Sequence, residues 1–239
     1  MIRRKNILLV ANQATSHLAR SVAAHLNIPF TEMQRKQFAD GEIYHAFPCD
    51  VSGRDMVIVA ATADDTAHQE LVDLIAGCRY WNCRTVNVVI PYLGYSTMER
   101  AKPDSGEIPK GITRTRQIFR ARPDYVAFID LHSEAVLHAH AGEVKTMNLW
   151  TDRLAVQKIK DIGVENYVLV SPDYGFSKRV ARLAGPARLP PHRGQQGPLR
   201  CGQDHCRPVV QRGARPAGDH LRRHDPHRRL HAPDRGPLL

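Results

Sequence analysis

Short runs of apolar, mostly β-branched residues recur through the first 185 residues, and this pattern limits the possible folds more than any other feature. Each run is continuously apolar, which is typical of strands covered on both faces of a sheet. We predict buried strands at residues 6–11, 56–60, 85–91, 125–130 and 167–171. Apolar residues with helical spacing lie between them, at 16–26, 66–81 and 108–120. This alternation predicts an α/β fold with a doubly wound parallel sheet.

Open α/β sheets bind their ligands beyond the carboxyl ends of the strands. The polar residues that follow each predicted strand are therefore the first place to look for a site. They lie at 12–13, 62–65, 92–100, 130–134 and 172–175.

A turn of sequence FADGE occupies residues 38–42. Gly41 permits a tight turn, Asp40 and Glu42 offer hydrogen-bond acceptors, and Phe38 offers a flat apolar face. Such a set suits an adenine ring, which stacks on an aromatic face and donates from its amino group. An ordinary surface turn is the alternative, because Asp-Gly is a common turn dipeptide.

A second cluster follows the third predicted strand, where PYLGY occupies residues 91–95. A glycine-containing loop with nearby cations, here Arg100 and Lys102, is able to approach phosphate groups. Solvated surface charges are the alternative interpretation of these two side chains.

Candidate metal ligands follow the next two strands. Asp130 and His132 are two residues apart and therefore lie on the same side of an extended chain. Asp173 offers a second carboxylate, although a helix N-cap is an equally ordinary role for it. Mg²⁺ takes few protein ligands and keeps waters and substrate phosphates, so this small set suffices for it.

In this order, the motifs resemble those of the ribose-phosphate diphosphokinase family, the synthases of phosphoribosyl diphosphate. The family shows F-P-D-G-E, P-Y-x-x-Y, D-L-H-A/S and V-S-P-D-x-G-G segments. Their counterparts here are FADGE (38–42), PYLGY (91–95), DLHS (130–133) and VSPDYG (170–175). The resemblance covers about residues 6–185 and implies a phosphoribosyltransferase-like fold. It implies an amino-terminal domain over 1–150 and the start of a second, truncated domain over 151–185.

The resemblance implies a transferase of nucleotide biosynthesis. Such enzymes are kinases that move the β,γ-diphosphoryl group of MgATP to the 1-hydroxyl of ribose 5-phosphate, giving phosphoribosyl diphosphate and AMP. It also implies a homo-oligomer in which neighbouring subunits share an active site, with Mg²⁺ as cofactor. By the resemblance, ATP contacts Phe38, Asp40, Gly41 and Glu42. It implies metal contacts, direct or through water, at His132 and Asp173, and Asp130 is a further candidate ligand.

Two departures from the family bear on activity. Residues 96–99 read STME where the family has A-R-Q-D, so a cation and an amide are missing. The family's D-D-x-x-x-T-G-G-T loop for ribose 5-phosphate has no counterpart beyond residue 185. We therefore expect the chain as written to be inactive. A non-catalytic relative that binds nucleotide or regulates other subunits is the alternative.

Residues 186–239 differ in kind from what precedes them. They hold eleven Arg, no Lys, four Asp, no Glu and nine Pro, and they lack Phe, Tyr, Trp and Ile. Such a composition predicts either a disordered basic tail or a segment translated out of frame. The net charge of +10 raises nucleic acid as a partner. The tail has no aromatic residues for base stacking, which does not favour that interpretation.

The five cysteines show no paired spacing, which favours a reduced chain in the cytoplasm. No apolar stretch approaches the ~18 residues of a membrane span, so we expect no membrane association.

Overall fold

The computed structural model describes residues 6–139, 142–163, 169–171 and 176–184. The chain divides into two units, the first ending at residue 157 and the second beginning at 158. The strands are β1 (Ile7–Ala11), β2 (Gln34–Gln37), β3 (Ile43–Ala46), β4 (Asp55–Val59), β5 (Thr85–Ile90), β6 (Tyr125–Ile129) and β7 (Lys145–Leu149). The α-helices are α1 (Ser16–Leu26), α2 (Asp65–Tyr80), α3 (Lys110–Arg120), α4 (Asp152–Ile162) and α5 (Ser177–Ala184).

Five of the strands form one parallel sheet in the order β1-β4-β5-β6-β7. Their register places Leu8 beside Met56 and Val10 beside Ile58. Strands β2 and β3 form a separate antiparallel hairpin. All five carboxyl ends of the parallel strands therefore meet at one edge of the sheet.

Helices cover both faces of this sheet. Leu8, Val10, Met56, Ile58 and other residues that point the same way join one core with α2 and α3. The alternate residues of β1 pack in a second cluster with Ala19 and Ala23 of α1. Each fully buried aliphatic side chain contributes roughly 1.5–3 kcal/mol to stability. The predicted doubly wound α/β fold is confirmed for the described residues.

Helix α2 shows how the sequence sets these elements. The Asp64 carboxylate accepts a hydrogen bond from Ala67 N at 2.8 Å and so caps the helix start. Within the helix predicted at 66–81, the apolar side chains of Leu71, Leu74, Ile75 and Cys78 are buried against the sheet. The Asp64 cap therefore sets where α2 begins, and the spacing of its apolar residues sets which face turns toward the sheet.

Several elements differ from the prediction. The described part of the predicted strand at 167–171, residues 169–171, has no regular structure, and 167–168 lie outside the described residues. The hairpin, β7 and α4 were not predicted. Their strands read QRKQ, IYHA and KTMNL, too polar for the buried-run pattern.

The second unit contributes the end of α4 and helix α5. Residues 186–239 lie outside the described residues, so the interpretation of the tail stays a prediction, as does the domain boundary at residue 150. Within the described ranges, no helix is both long and apolar enough to cross a membrane.

Candidate functional site

The FADGE segment closes the hairpin between β2 and β3. Phe38 N donates to Glu42 O at 2.9 Å, and Gly41 N donates to Phe38 O at 3.0 Å. Gly41 has φ +95°, a conformation that favours glycine. The Asp40 carboxylate accepts from Glu42 N at 3.1 Å. The turn is thus a defined structure, and Asp40 uses one carboxylate oxygen to hold it.

Phe38 projects from this turn with 41% of its surface exposed. Its ring meets Tyr44 edge to face at a centroid distance of 6.5 Å, and Lys36 Nζ lies 4.7 Å from the ring centroid. Asp40 and Glu42 are also exposed. An accessible aromatic surface beside two carboxylates is an arrangement that suits a planar ligand with amino groups.

Arg35 ties the hairpin to the carboxyl end of β1. Its Nε lies 2.5 Å from Glu70 Oε1, and one terminal nitrogen donates to Ala11 O at 2.7 Å. The other oxygen of Glu70 accepts from Gln13 N at 2.9 Å. Glu70 is buried within α2, with 6% of its side chain exposed. An ion pair between the buried Glu70 and the partly buried Arg35 therefore sets where the hairpin stands relative to the sheet.

Buried polar groups also hold the strand tips together. The Asn12 amide donates to Ala61 O at 2.7 Å and to Ala67 O at 3.2 Å. Its carbonyl oxygen accepts from Thr15 Oγ1 at 2.7 Å. Asn12 is completely buried, so this predicted strand-tip residue joins the ends of β1 and β4.

The loops that follow β4 and β5 contact each other closely. Gly94 N donates to Thr62 Oγ1 at 3.0 Å, and Thr62 N donates to Tyr92 O at 3.0 Å. A Cβ at Gly94 would lie 1.9 Å from Thr62 O, so a side chain cannot fit there. The PYLGY segment is held against the tip of β4 by this contact.

Tyr95 extends this contact to two helices. Its hydroxyl donates to Asp65 Oδ1 at 3.0 Å, and Arg114 of α3 donates to the same oxygen at 2.8 Å. The hydrogen bond to Asp65 raises the pKa of Tyr95. Lys110 Nζ lies 5.1 Å from the Tyr95 ring centroid. Cations therefore flank this loop where it meets α3.

The two cations predicted to approach phosphates are exposed. Lys102 Nζ pairs with Glu107 Oε1 at 3.2 Å, and Arg100 Nε lies 3.8 Å from Glu99 Oε1. Both pairs sit in the loop between β5 and α3. These contacts do not test whether Arg100 and Lys102 bind phosphate, so that role stays a prediction.

The candidate metal ligands at the tip of β6 are partly engaged. One Asp130 carboxylate oxygen accepts from Thr151 N at 2.9 Å, and the other accepts from Thr151 Oγ1. His132 is exposed just beyond it. Asp173 lies outside the described residues. Among the residues that the structure describes, no three His, Cys, Asp or Glu side chains converge on a metal position.

Sequence reasoning missed Arg35 and Glu70. The sequence does hold an indication of a buried charge at Glu70, because this residue lies on the apolar face of α2, one turn before Leu74. A carboxylate on a buried helix face requires a cation or several donors. Its partner Arg35, in a strand of sequence QRKQ, has no comparable signal.

A parallel sheet covered by helices on both faces, with loops gathered at its strand tips, defines an open α/β domain. Residues 7–110 match the family described as the N-terminal domain of ribose phosphate pyrophosphokinase. Pyrophosphokinase is a synonym of diphosphokinase, so the predicted resemblance is confirmed over this part of the chain.

Individual proteins match a longer part of the chain. The chain is 29% identical over 180 residues to a ribose-phosphate pyrophosphokinase of Thermoplasma acidophilum, covering 74% of this chain and 59% of that protein. It is 31% identical over 185 residues to a putative ribose-phosphate pyrophosphokinase 2 of Streptococcus pyogenes, covering 75% and 56%. The chain thus spans less than two thirds of these relatives, and its carboxyl-terminal part is unmatched.

A solved structure supports the fold. The phosphoribosylpyrophosphate synthetase of Mycobacterium smegmatis superimposes with a TM-score of 0.68 at 22% identity. The superposition covers 75% of this chain and 60% of that one.

Proposed function

We propose that this chain supplies the ATP-binding half of a ribose-phosphate diphosphokinase. The proposed reaction transfers diphosphate from MgATP to ribose 5-phosphate and yields phosphoribosyl diphosphate and AMP. The observation that carries the proposal is the anchored hairpin, in which Arg35 and Glu70 fix an exposed FADGE turn to the end of β1. The family match over residues 7–110 includes both this hairpin and the PYLGY loop.

The proposed roles follow from the geometry of the turn. Phe38 stacks on the adenine, while Asp40 and Glu42 accept from its exocyclic amino group. Gly41 keeps the turn tight, so that the two carboxylates stand beside the ring. Asp40 retains a carboxylate oxygen for the ligand, because only Oδ1 accepts from Glu42 N in the described contacts.

The proposed position for Mg²⁺ is the tip of β6. His132 is exposed and Asp130 is fixed by Thr151, and a hydrated Mg²⁺ needs few protein ligands. We propose that His132, Asp130 and Asp173 hold it. When bound, the ion neutralises phosphate charge, which diphosphoryl transfer requires more than covalent assistance. The protein's own part is to position the nucleotide and exclude alternative geometries.

We propose that the chain as written binds nucleotide without turning it over, and that the complete enzyme is a cytoplasmic homo-oligomer. The segment that the family uses for ribose 5-phosphate has no counterpart in this sequence. A regulatory, non-catalytic relative is the second candidate. The observation that favours it is STME at 96–99, which replaces the family's cation and amide with residues unable to bind phosphate as strongly.

Two measurements on the intact chain test these proposals. Calorimetric titration with MgATP is expected to give saturable binding, and its absence would refute the ATP role. A coupled assay with ATP and ribose 5-phosphate is expected to give no AMP above background. Turnover in that assay would support the family reaction and refute the predicted inactivity.

A further inference from the structure

A cavity of about 770 Å³ lies between the hairpin and helix α2 in the first unit. Its volume is within the range of small-molecule sites. None of the residues assigned above to ATP or magnesium lines it. The cavity therefore needs an explanation of its own.

The floor of the cavity is apolar and buried. Met33, Val51 and Leu74 form it, each almost fully removed from solvent. Phe47 approaches α2 at Gly77, where a Cβ would lie 3.2 Å from Phe47 Cε2. The glycine thus lets an aromatic ring pack close to the helix and form one wall.

The rim of the cavity is aromatic and exposed. Tyr44 and Trp81 are 49% and 58% exposed, respectively, and both line the opening. Trp81 also meets Tyr80 edge to face, with a centroid distance of 5.1 Å. Exposed indole and phenol faces carry negative electrostatic potential, which attracts cations.

The charged residues of the lining are acidic. They are Asp50 and Asp73, joined by the titratable His45, and the lining contains no Lys or Arg. Asp50 Oδ1 accepts from Ser52 N at 2.9 Å, and Asp73 Oδ1 accepts from Gln69 at 2.8 Å. His45 Nδ1 lies 3.7 Å from the other oxygen of Asp73. An acidic cavity in a chain of net charge +10 is opposite in character to a phosphate site.

We propose that this cavity binds a small organic cation, a protonated amine attached to an aromatic or aliphatic body. The apolar floor accommodates the body of the ligand. The carboxylates of Asp50 and Asp73, together with the rim aromatics, stabilise the charged nitrogen. Nucleotides and sugar phosphates are excluded by charge, so the site is separate from the one proposed for ATP.

The test uses the intact chain and three matched probes. They are 2-phenylethylammonium, the neutral 2-phenylethanol and the anionic phenylacetate, titrated by saturation-transfer NMR. We expect saturable binding of the ammonium, weaker binding of the alcohol by about fivefold or more, and none of the anion. Equal affinity for ammonium and alcohol, or no saturable binding, would refute the proposal.

Variants localise the binding. Asp50→Asn combined with Asp73→Asn is expected to lower the affinity for the ammonium about fivefold or more. The control is Asp104→Asn, in an exposed loop at φ +58°, a conformation that Asn tolerates. It should leave the affinity unchanged, and equal losses in both proteins would refute the assignment. Circular dichroism checks that each variant is folded.

Saturating MgATP separates this proposal from the proposed function. We expect the affinity for the ammonium to be the same with and without nucleotide. Competition between the two would place the amine in the ATP site and overturn the inference, while leaving the nucleotide proposal intact.

Discussion

Arg35 Nε of the hairpin lies 2.5 Å from Glu70 Oε1 of helix α2. Solvent screens this pair only weakly, because 18% of the Arg35 side chain and 6% of the Glu70 side chain are exposed. The same two residues bind the backbone of β1 and the loop after it, at Ala11 and Gln13. The proposed adenine turn therefore depends on a charge pair that lies outside the turn itself.

Replacing Glu70 by Gln keeps the shape of the side chain and leaves Arg35 with only its longer ion pair to Glu32, at 3.4 Å. Breaking a buried pair from one side costs roughly 3–5 kcal/mol, and the exposure of Arg35 and its remaining pair with Glu32 place the expected loss at the lower limit, about 3 kcal/mol. Urea unfolding followed by circular dichroism measures it. Lys102→Gln is the matched control, because it removes an exposed pair with Glu107 and should cost less than about 1 kcal/mol. Similar losses in both variants would contradict the prediction.

The contact between Thr62 and Gly94 makes a second prediction. Gly94→Ala places a methyl group 1.9 Å from Thr62 O, so the loops after β4 and β5 must separate. We expect a loss of at least about 3 kcal/mol in unfolding free energy, as for severe overpacking. Gly77→Ala is the comparison, because its Cβ meets only the edge of the Phe47 ring at 3.2 Å. A Gly94→Ala protein as stable as Gly77→Ala would show that this loop contact is not rigid.

Helix α2 also carries a buried histidine whose titration predicts a pH effect. His68 is 1% exposed, and its Nε2 lies 2.9 Å from Gln117 Oε1. Burial lowers the pKa of His68 below its ordinary value of 6.5, and the nearby Arg114 acts in the same direction. The folded protein thus keeps the ring neutral, while the unfolded chain takes up a proton as the pH falls below about 6.5.

Stability is therefore expected to fall as the pH drops below about 6.5, by at most about 1.4 kcal/mol per pH unit from this residue. Urea unfolding at pH 7.5, 6.5 and 5.5 measures the slope. His68→Gln should flatten it, and the other histidines cancel in the difference between the two proteins. The lowered pKa values of Asp55 and Glu32 act only at more acidic pH. An unchanged slope in the variant would rule out His68 as the cause.

Much of the fold was predictable because burial on both faces leaves a simple pattern. Strands β1, β4, β5 and β6 each fall within one or two residues of their predicted bounds. Strand β7 has no such pattern, since it lies at the edge of the sheet with Lys145 and Met147 exposed. The site residues divide similarly. The FADGE turn is recognisable from five consecutive residues. The Arg35–Glu70 pair joins residues 35 apart in the chain, and no local pattern predicts such a contact.

The three cysteines among the described residues differ in expected reactivity. Cys49 is exposed, whereas Cys78 and Cys83 are buried. Burial raises the pKa of both buried thiols, and thiolate is the reactive form. We expect iodoacetamide at pH 8 to modify Cys49 at least about tenfold faster than either buried thiol. Peptide mass spectrometry over time resolves the three sites. Equal modification rates of the three thiols in the native protein would contradict the burial of Cys78 and Cys83. In urea, where the chain is unfolded, the three rates should be similar, and this measurement is the control.

The proposed adenine contact makes the last prediction. Phe38→Ala removes the exposed ring from the FADGE turn and leaves the backbone hydrogen bonds of the turn in place. Stacking of a base on an aromatic side chain is worth roughly 1–3 kcal/mol, so the affinity for MgATP should fall about tenfold. Phe38→Tyr keeps the flat surface and should retain most of the affinity. Leu26→Ala, at the exposed end of α1, is a control without a predicted effect. Calorimetric titration of the four proteins distinguishes the outcomes, and equal affinities for Phe38→Ala and the unsubstituted chain would remove Phe38 from the nucleotide site.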